Sequence, residues 1–235
     1  MEYEDEKRPA APIATGGVTR NLNGQKLGRK GQMTRARILA AAVELVSQHS
    51  ETPISLSAVA RQADLGMTSL YLYFNDLTEV LLAVLEPVME TAEADYIGLL
   101  RTRWPDETLA EHCRAYIEAL HAFWLKHSRL LHLRNSMADR HDMRMMEQRV
   151  RSAQPLIALL VAQMDGDTSD KNAPVFAMAS MLMTGLERSA TVWTDRTMQT
   201  HFADPIFTNA QRFMKPAARL LELGIRDMRA ASKGG

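Results

Sequence analysis

The chain has a single cysteine, Cys113, among its 235 residues. One thiol excludes an intrachain disulfide and any zinc site built on paired cysteines. No unbroken apolar run reaches the ~18 residues that a membrane span needs. The acidic opening, Glu2 to Glu6, is unlike a signal peptide, so a cytoplasmic location is expected. Gly16, Gly17 and the glycines from Gly24 to Gly31 follow no strand pattern, which excludes a phosphate-cradling loop. No Ser-His-Asp arrangement can be inferred, and neither internal repeats nor strand-like alternation occurs. The formal net charge is zero, but its distribution is uneven. Residues 7–75 carry nine Lys or Arg against Glu44, Glu51 and Asp64, a surplus of six, while the first six residues and the remainder are net acidic. A basic head on a mildly acidic body suits phosphate binding.

Hydrophobic residues at 46% and charged ones at 24% give an ordinary globular balance, with enough chain for one or two domains. The most informative stretch is Ile54 to Phe74. Ser55 is a good N-cap, and Leu56, Val59, Ala60 and Ala63 recur at helical spacing. A break follows at Asp64 to Gly66, where Gly66 is free to turn the backbone. Thr68 or Ser69 can cap a second helix, whose buried side is Leu70 and Phe74. Two short helices across a tight turn predict a helix-turn-helix, which lays its second helix in the DNA major groove. Upstream, Thr34 can cap a helix to about His49, with Ile38, Leu39, Ala42, Val43, Leu45 and Val46 on its apolar side.

These residues carry a family resemblance. The run Ala63-x-Leu65-x-x-x-x-Leu70-Tyr71-x-Tyr73-Phe74 follows Ile54-Ser55 and an upstream Arg35-x-x-Ile38-Leu39-x-Ala41-Ala42. Together they resemble the DNA-binding domain of the tetracycline-repressor (TetR) family over roughly residues 33–81. The chain departs from the family pattern at Asp64, where Gly is usual, at Gly66, where Ser is usual, at Thr68, often Gly or Pro, and at Leu77, where a Lys tends to meet a phosphate. The resemblance implies that Met67, Thr68, Ser69, Tyr71 and Leu72 face the groove and that Tyr71 and Tyr73 contact phosphates. Arg35 and Ser55 belong to the same expected surface. Because Met67 to Leu72 holds no Arg, Asn or Gln, the strongest bidentate base contacts are missing. Sequence reading then leans on Ser57, Arg61, the N-terminal arm and DNA shape.

The expected organisation is all-α: a polar arm over residues 1–31, a three-helix head over 32–76, and a six-helix body over 77–230. In the arm, Arg20, Lys26, Arg29 and Lys30 can follow the DNA backbone or enter a minor groove; the alternative is a solvated tail. Asp76 can cap a long helix to about Leu100, kinked at Pro87, which by resemblance links head to body. Trp104-Pro105-Asp106 separates it from a helix bearing Leu109, Cys113, Tyr116, Ile117, Leu120, Phe123, Trp124 and His127. A shorter helix is expected over about Ser128–Met137, followed by one over Asp139–Met164 that Pro155 kinks or splits. The last two span about Pro174–Trp193 and Pro205–Met228. In the family these two pair with their copies in a second subunit, which implies a homodimer through Met178, Leu182, Leu186, Phe213, Leu220 and Leu221. A dimer also presents two heads to two half-sites ~34–36 Å apart on a palindromic operator. The alternative is that these helices close a monomeric core.

Fifteen methionines suit an adaptable apolar pocket between helices. Its candidate lining is Trp104, Tyr116, His121, Trp124, Arg134, Asn135, Met143, Met146, Phe176 and Met183, although apolar stripes at helical spacing are usually ordinary core. His132, Asp139, His141 and Asp142 resemble a metal-dependent phosphohydrolase pair, but adjacent His141 and Asp142 point about 100° apart on a helix, which favours a charged loop and helix start. Cys113 is most simply core, with a redox sensor as the minor reading. Neither a metal nor a cofactor is expected, and the chain is not expected to be an enzyme. The expected function is a sequence-specific transcription regulator, in this family most often a repressor, released from DNA when a small apolar or amphipathic molecule enters the body. The alternatives are a ligand-independent architectural or cell-division DNA binder on the same fold and, more remotely, a helical metal-dependent hydrolase.

Overall fold

The computed structural model describes Leu22, Gly24 and residues 26–48, 53–201 and 209–233, and over these it is all-helical. The chain divides into two compact units, with the boundary between Pro87 and Val88. No helix of the described residues is long and apolar enough to cross a membrane.

In the first unit, α1 spans Arg29–Ser47 and buries Arg35, Ile38, Leu39, Ala41 and Ala42, which share one side at helical spacing. It begins five residues before the predicted cap. Gly28 stands at the N-cap position, and the Thr34 hydroxyl instead donates back to the Lys30 carbonyl at 3.0 Å. The predicted arm is therefore shorter, since Arg29 and Lys30 are helical; residues 1–21 lie outside the described residues, as does the predicted helix end at His49. Helix α2, Leu56–Gln62, is capped by Ser55 as expected, its hydroxyl accepting from the Ala58 N–H at 3.2 Å. The turn that follows differs from expectation in its pivot. Asp64 takes the left-handed conformation, with φ 51°, while Gly66 sits at φ −72° and ψ 150°, which any residue adopts. Asp tolerates the left-handed region better than most residues, so the break needs no glycine there.

Helix α3 is a single turn, Met67–Leu70, with Gly66 at its N-cap; Thr68 and Ser69 lie inside it and do not cap it. Turns through Tyr71 carry the chain on to Phe74, whose N–H donates to the Leu70 carbonyl at 3.1 Å. Leu70 and Phe74 are fully buried and anchor the element. Asp76 then starts α4, Leu77–Asp95, by accepting from the Glu79 N–H at 3.0 Å, while the Glu79 carboxylate accepts from the Asn75 N–H at 2.7 Å. Pro87 lies inside α4, at the end of the first unit.

In the second unit, a 3-10 turn at Ile97–Leu100 precedes α5, Leu109–Lys126, and α6, Ser128–Asp139. Helix α7, Met143–Gln163, starts at Asp142 rather than Asp139, because the Asp142 carboxylate accepts from the Arg144 and Met145 N–H groups at 3.1 and 3.2 Å. It runs unbroken through Pro155. Helices α8, Pro174–Trp193, and α9, Arg196–His201, precede the last helix, α10, Gln211–Lys233. The predicted start of that helix at Pro205 and its Ile206 lie outside the described residues. Helix α10 packs along α5 and α8, and α7 packs on α6 and α8. Gly224 permits the α8–α10 approach: a Cβ there would stand 2.7 Å from Leu182 Cδ1.

A buried polar clasp ties the loop before α5 to α7 and α10. Gln163 accepts from the Trp104 N–H at 3.0 Å and donates to the Leu100 and Thr102 carbonyls at 2.9 and 2.7 Å. Arg229, its side chain only 3% exposed, donates to the Gln163 and Trp104 carbonyls at 2.7 and 3.0 Å and pairs with Asp106.

Candidate functional site

Two separate sets of residues carry functional potential, one in each unit. In the first, anchoring Leu70 and Phe74 inward leaves Thr68, Ser69, Tyr71 and Leu72 exposed, with Met67 and Tyr73 half-buried. Hydroxyls, a phenol and apolar tips thus stand on one short helix and the turn after it. Ser57 is exposed as the second residue of α2, with its hydroxyl 3.0 Å from that of Ser55. Ser55 is occupied as a cap and half-buried. Exposed cations in this unit include Arg29, Lys30, Arg37 and Arg61. The chain before α1 lies beside the end of the turn, since the Leu22 N–H donates to the Leu72 carbonyl at 3.1 Å.

Arg35 requires a correction. It is only 9% exposed, and its guanidinium lies 5.2 Å from the centre of the Phe74 ring. Burial lowers its pKa, with Glu79 and Glu86 acting in the opposite direction. A cation folded against the core in this way braces α1 on Phe74 and is not presented to a phosphate.

In the second unit, α4 and α5–α8 enclose a cavity with a polar end. Its free volume is ≈ 20 Å³ within an envelope of ≈ 340 Å³ that includes the open mouth. The apolar wall is formed by Met89, Tyr96, Phe123, Trp124, Leu131, Leu156 and Met183; Arg134, Arg149, Ser152 and Glu187 supply polar groups. Arg134 Nη2 donates to Glu187 Oε1 at 2.6 Å, and its Nε donates to Asn135 Oδ1 at 3.0 Å. Its guanidinium also lies 5.7 Å from the centre of the Trp124 ring. Arg149 Nε is 3.6 Å from Glu187 Oε2, and Arg149 Nη1 donates to Asp139 at 3.2 Å. One carboxylate therefore serves two guanidiniums. Burial lowers the Arg134 pKa against the pull of Glu187, and burial pushes the Tyr96 phenol up to about 12.

Of the predicted pocket residues, the structure brings Trp124, Arg134 and Met183 to this wall, with Asn135 behind Arg134. The others are elsewhere. Tyr116 is fully buried between Tyr96 and Trp104, each ring centre 6.1 Å away, and Trp104 stacks on His112 and donates to the Leu99 carbonyl at 2.8 Å. Both are packing residues. Met143 is 61% exposed in the first turn of α7, because α7 begins there rather than four residues earlier. His121, Met146 and Phe176 are half-buried and do not line the cavity. The sequence reading missed Met89, Arg149 and Glu187. Hydrophobic spacing marks apolar faces and gives no signal that Arg149 and Glu187 line a cavity.

The predicted pairing surface also needs correction. Leu182, Leu186 and Leu221 are buried within the chain's own core, and Phe213 stacks on Trp193 at 5.7 Å. Met178 is half-buried, and only Leu220 is exposed. The apolar residues that α8 and α10 present outward are Met181, Leu220 and Leu223.

Among the described residues no three His, Cys, Asp or Glu side chains converge as a metal site. His132 Nε2 instead lies 3.1 Å from the Thr194 hydroxyl, and His141 is an exposed left-handed turn residue with φ 67°. Cys113 is buried on α5, and burial raises its thiol pKa to about 12. No protein-family model matches the chain, and no curated protein matches it.

Proposed function

We propose that the chain is a sequence-specific DNA-binding transcription regulator of the TetR type, a cytoplasmic homodimer that a small apolar or amphipathic effector releases from its operator. The observation that carries this reading is the α2–turn–α3 arrangement. Leu70 and Phe74 fix a one-turn helix and the turn after it, and Thr68 and Ser69 of the helix and Tyr71 and Leu72 of the turn are all exposed, in a segment with a surplus of cations. Exposed hydroxyls and a phenol in that position serve bases and phosphates, and Leu72 suits a thymine methyl. Apolar Met181, Leu220 and Leu223 on the outer sides of α8 and α10 suit a second copy of the chain, which a palindromic operator requires. Signal transfer requires that the effector bind the released state more tightly than the DNA-competent one. Helix α4, which passes through the junction of the two units, is the element that would carry it.

The test is selection of bound duplexes from a random pool by the full chain, repeated with Tyr71→Ala and Thr68→Ala. The expected result is a palindrome that both changes weaken. Failure of the folded protein to enrich any sequence at low salt would remove the reading. A ligand-independent DNA binder on the same fold is the second reading, favoured by the small free volume of the cavity. It predicts an enriched operator that no small molecule displaces.

A further inference from the structure

We infer that the cavity between α4 and α5–α8 takes an amphipathic ligand with an anionic head, a carboxylate by preference, and that Arg149 is the residue that selects it. This rests on the reading of the second unit as a ligand-sensing body. The polar end of the cavity holds two guanidiniums and one carboxylate, so the lining carries an excess of one positive charge. Asp139, which also pairs with Arg149, is not part of the lining, and its side chain is 66% exposed and therefore screened by solvent.

The two arginines are not equivalent. Arg134 is committed, buried with Glu187 at 2.6 Å and bonded to Asn135. Arg149 is 3.6 Å from Glu187, beyond hydrogen-bond distance, and its side chain is 30% exposed. A guanidinium has five N–H donors in a planar fork that matches a carboxylate, and Arg149 spends one of them on Asp139. A ligand carboxylate can take the remaining donors without breaking the Arg134–Glu187 pair. Packing alone does not call for this cluster, because a buried ion pair is often no more stabilising than apolar residues of the same volume. The rest of the wall is apolar, and Met89 and Met183 are unbranched side chains that can move to admit a chain. The free volume of ≈ 20 Å³ holds about one water as it stands, so a ligand's tail enters only as Met89 and Met183 move aside, which limits it to a short alkyl or single aromatic group.

The test is calorimetric titration of the full chain, without DNA, by octanoate, octanol and octylamine. Octanoate is expected to bind about tenfold or more tightly than either analogue, the effect of adding a charge-assisted hydrogen bond. Arg149→Leu should abolish that preference and Arg149→Lys should retain part of it. Equal binding of all three probes, tightest binding of octylamine, or no binding of any would overturn the inference. If Arg149→Leu does not fold, the natural chain decides: a preference that weakens with added salt supports the assignment, and one indifferent to salt overturns it. Because DNA is absent, failure here leaves the operator selection untouched, and failure of that selection leaves the octanoate result standing.

Discussion

Arg134 on α6 and Glu187 on α8 meet at 2.6 Å with side chains only 5% and 10% exposed. They are 53 residues apart, so the pair locks one helix to another inside the second unit. Removing one member strands the other charge in a poorly solvated place. Glu187→Ala is expected to cost about 3–5 kcal/mol in urea denaturation, whereas the double change Arg134→Met with Glu187→Leu should cost much less. Equal losses for the single and double variants would show that the pair matters only through the volume it fills.

Arg229 offers a second contrast. Its guanidinium satisfies the Gln163 and Trp104 carbonyls and pairs with Asp106, joining α10 to the loop before α5. Arg229→Met keeps much of the stem volume but takes its donor from the buried Gln163 carbonyl, an expected loss of ~1–3 kcal/mol, while the Trp104 carbonyl keeps Arg103 Nη1 at 3.3 Å. Arg226, one turn earlier and with its side chain 42% exposed, pairs with Glu222 and donates to the Asp106 carbonyl at 3.0 Å. Arg226→Ala should change stability by less than ~1 kcal/mol. Comparable losses at both positions would contradict the burial argument.

The helical architecture was legible because its signals are local. Apolar spacing places Ile38, Leu39 and Ala42 on the inner side of α1, and the Ser55 and Asp76 side chains cap α2 and α4 as expected. The turn was legible in place but not in mechanism. Gly66 attracts attention as the permissive residue, yet Asp64 makes the left-handed bend. What failed were judgements that depend on which helix lies opposite. Leu182 and Leu221 have the same local pattern whether they face their own chain or another copy, and the structure places them in their own core. Glu187 and Arg149 could not be recognised as cavity groups, because spacing marks a charged residue as solvated unless its partner is known. Arg35, expected on the DNA-facing surface by resemblance, lies over Phe74, a place that emerges only in three dimensions.

Stability should form a plateau in pH. Burial lowers the pKa of His121, His127 and His132 below their ordinary 6.5, with Asp195 partly opposing the shift at His132. Below that value the unfolded chain takes up protons that the folded one declines, so stability falls as pH falls through the depressed folded values. On the alkaline side, burial raises Cys113 from 9.0 to about 12 and Tyr96 from 10.0 to about 12. There the unfolded chain releases protons first, and stability is lost as pH climbs from the unfolded values toward about 12. Melting temperatures from about pH 5 to about pH 11 should show a maximum between these limits. Higher stability at the acid end would contradict the histidine assignment. The same burial predicts that Cys113 reacts with a thiol reagent only after unfolding.

If the first unit binds DNA as proposed, Arg35 and Lys30 should separate stability from phosphate contact. Both are cations on α1, but Arg35 is folded over Phe74 and Lys30 is exposed in the first turn. Arg35→Ala removes a ring contact and the packing of the stem, which should lower stability by roughly 1–2 kcal/mol. It releases no counterion, so the slope of log affinity against log salt for the selected operator should stay unchanged. Lys30→Ala should do the reverse, with melting unaffected and the slope reduced by about 1 if the side chain neutralises one phosphate. A reduced slope for Arg35→Ala, measured at a temperature where the variant is fully folded, would mean that the guanidinium leaves Phe74 to reach the DNA.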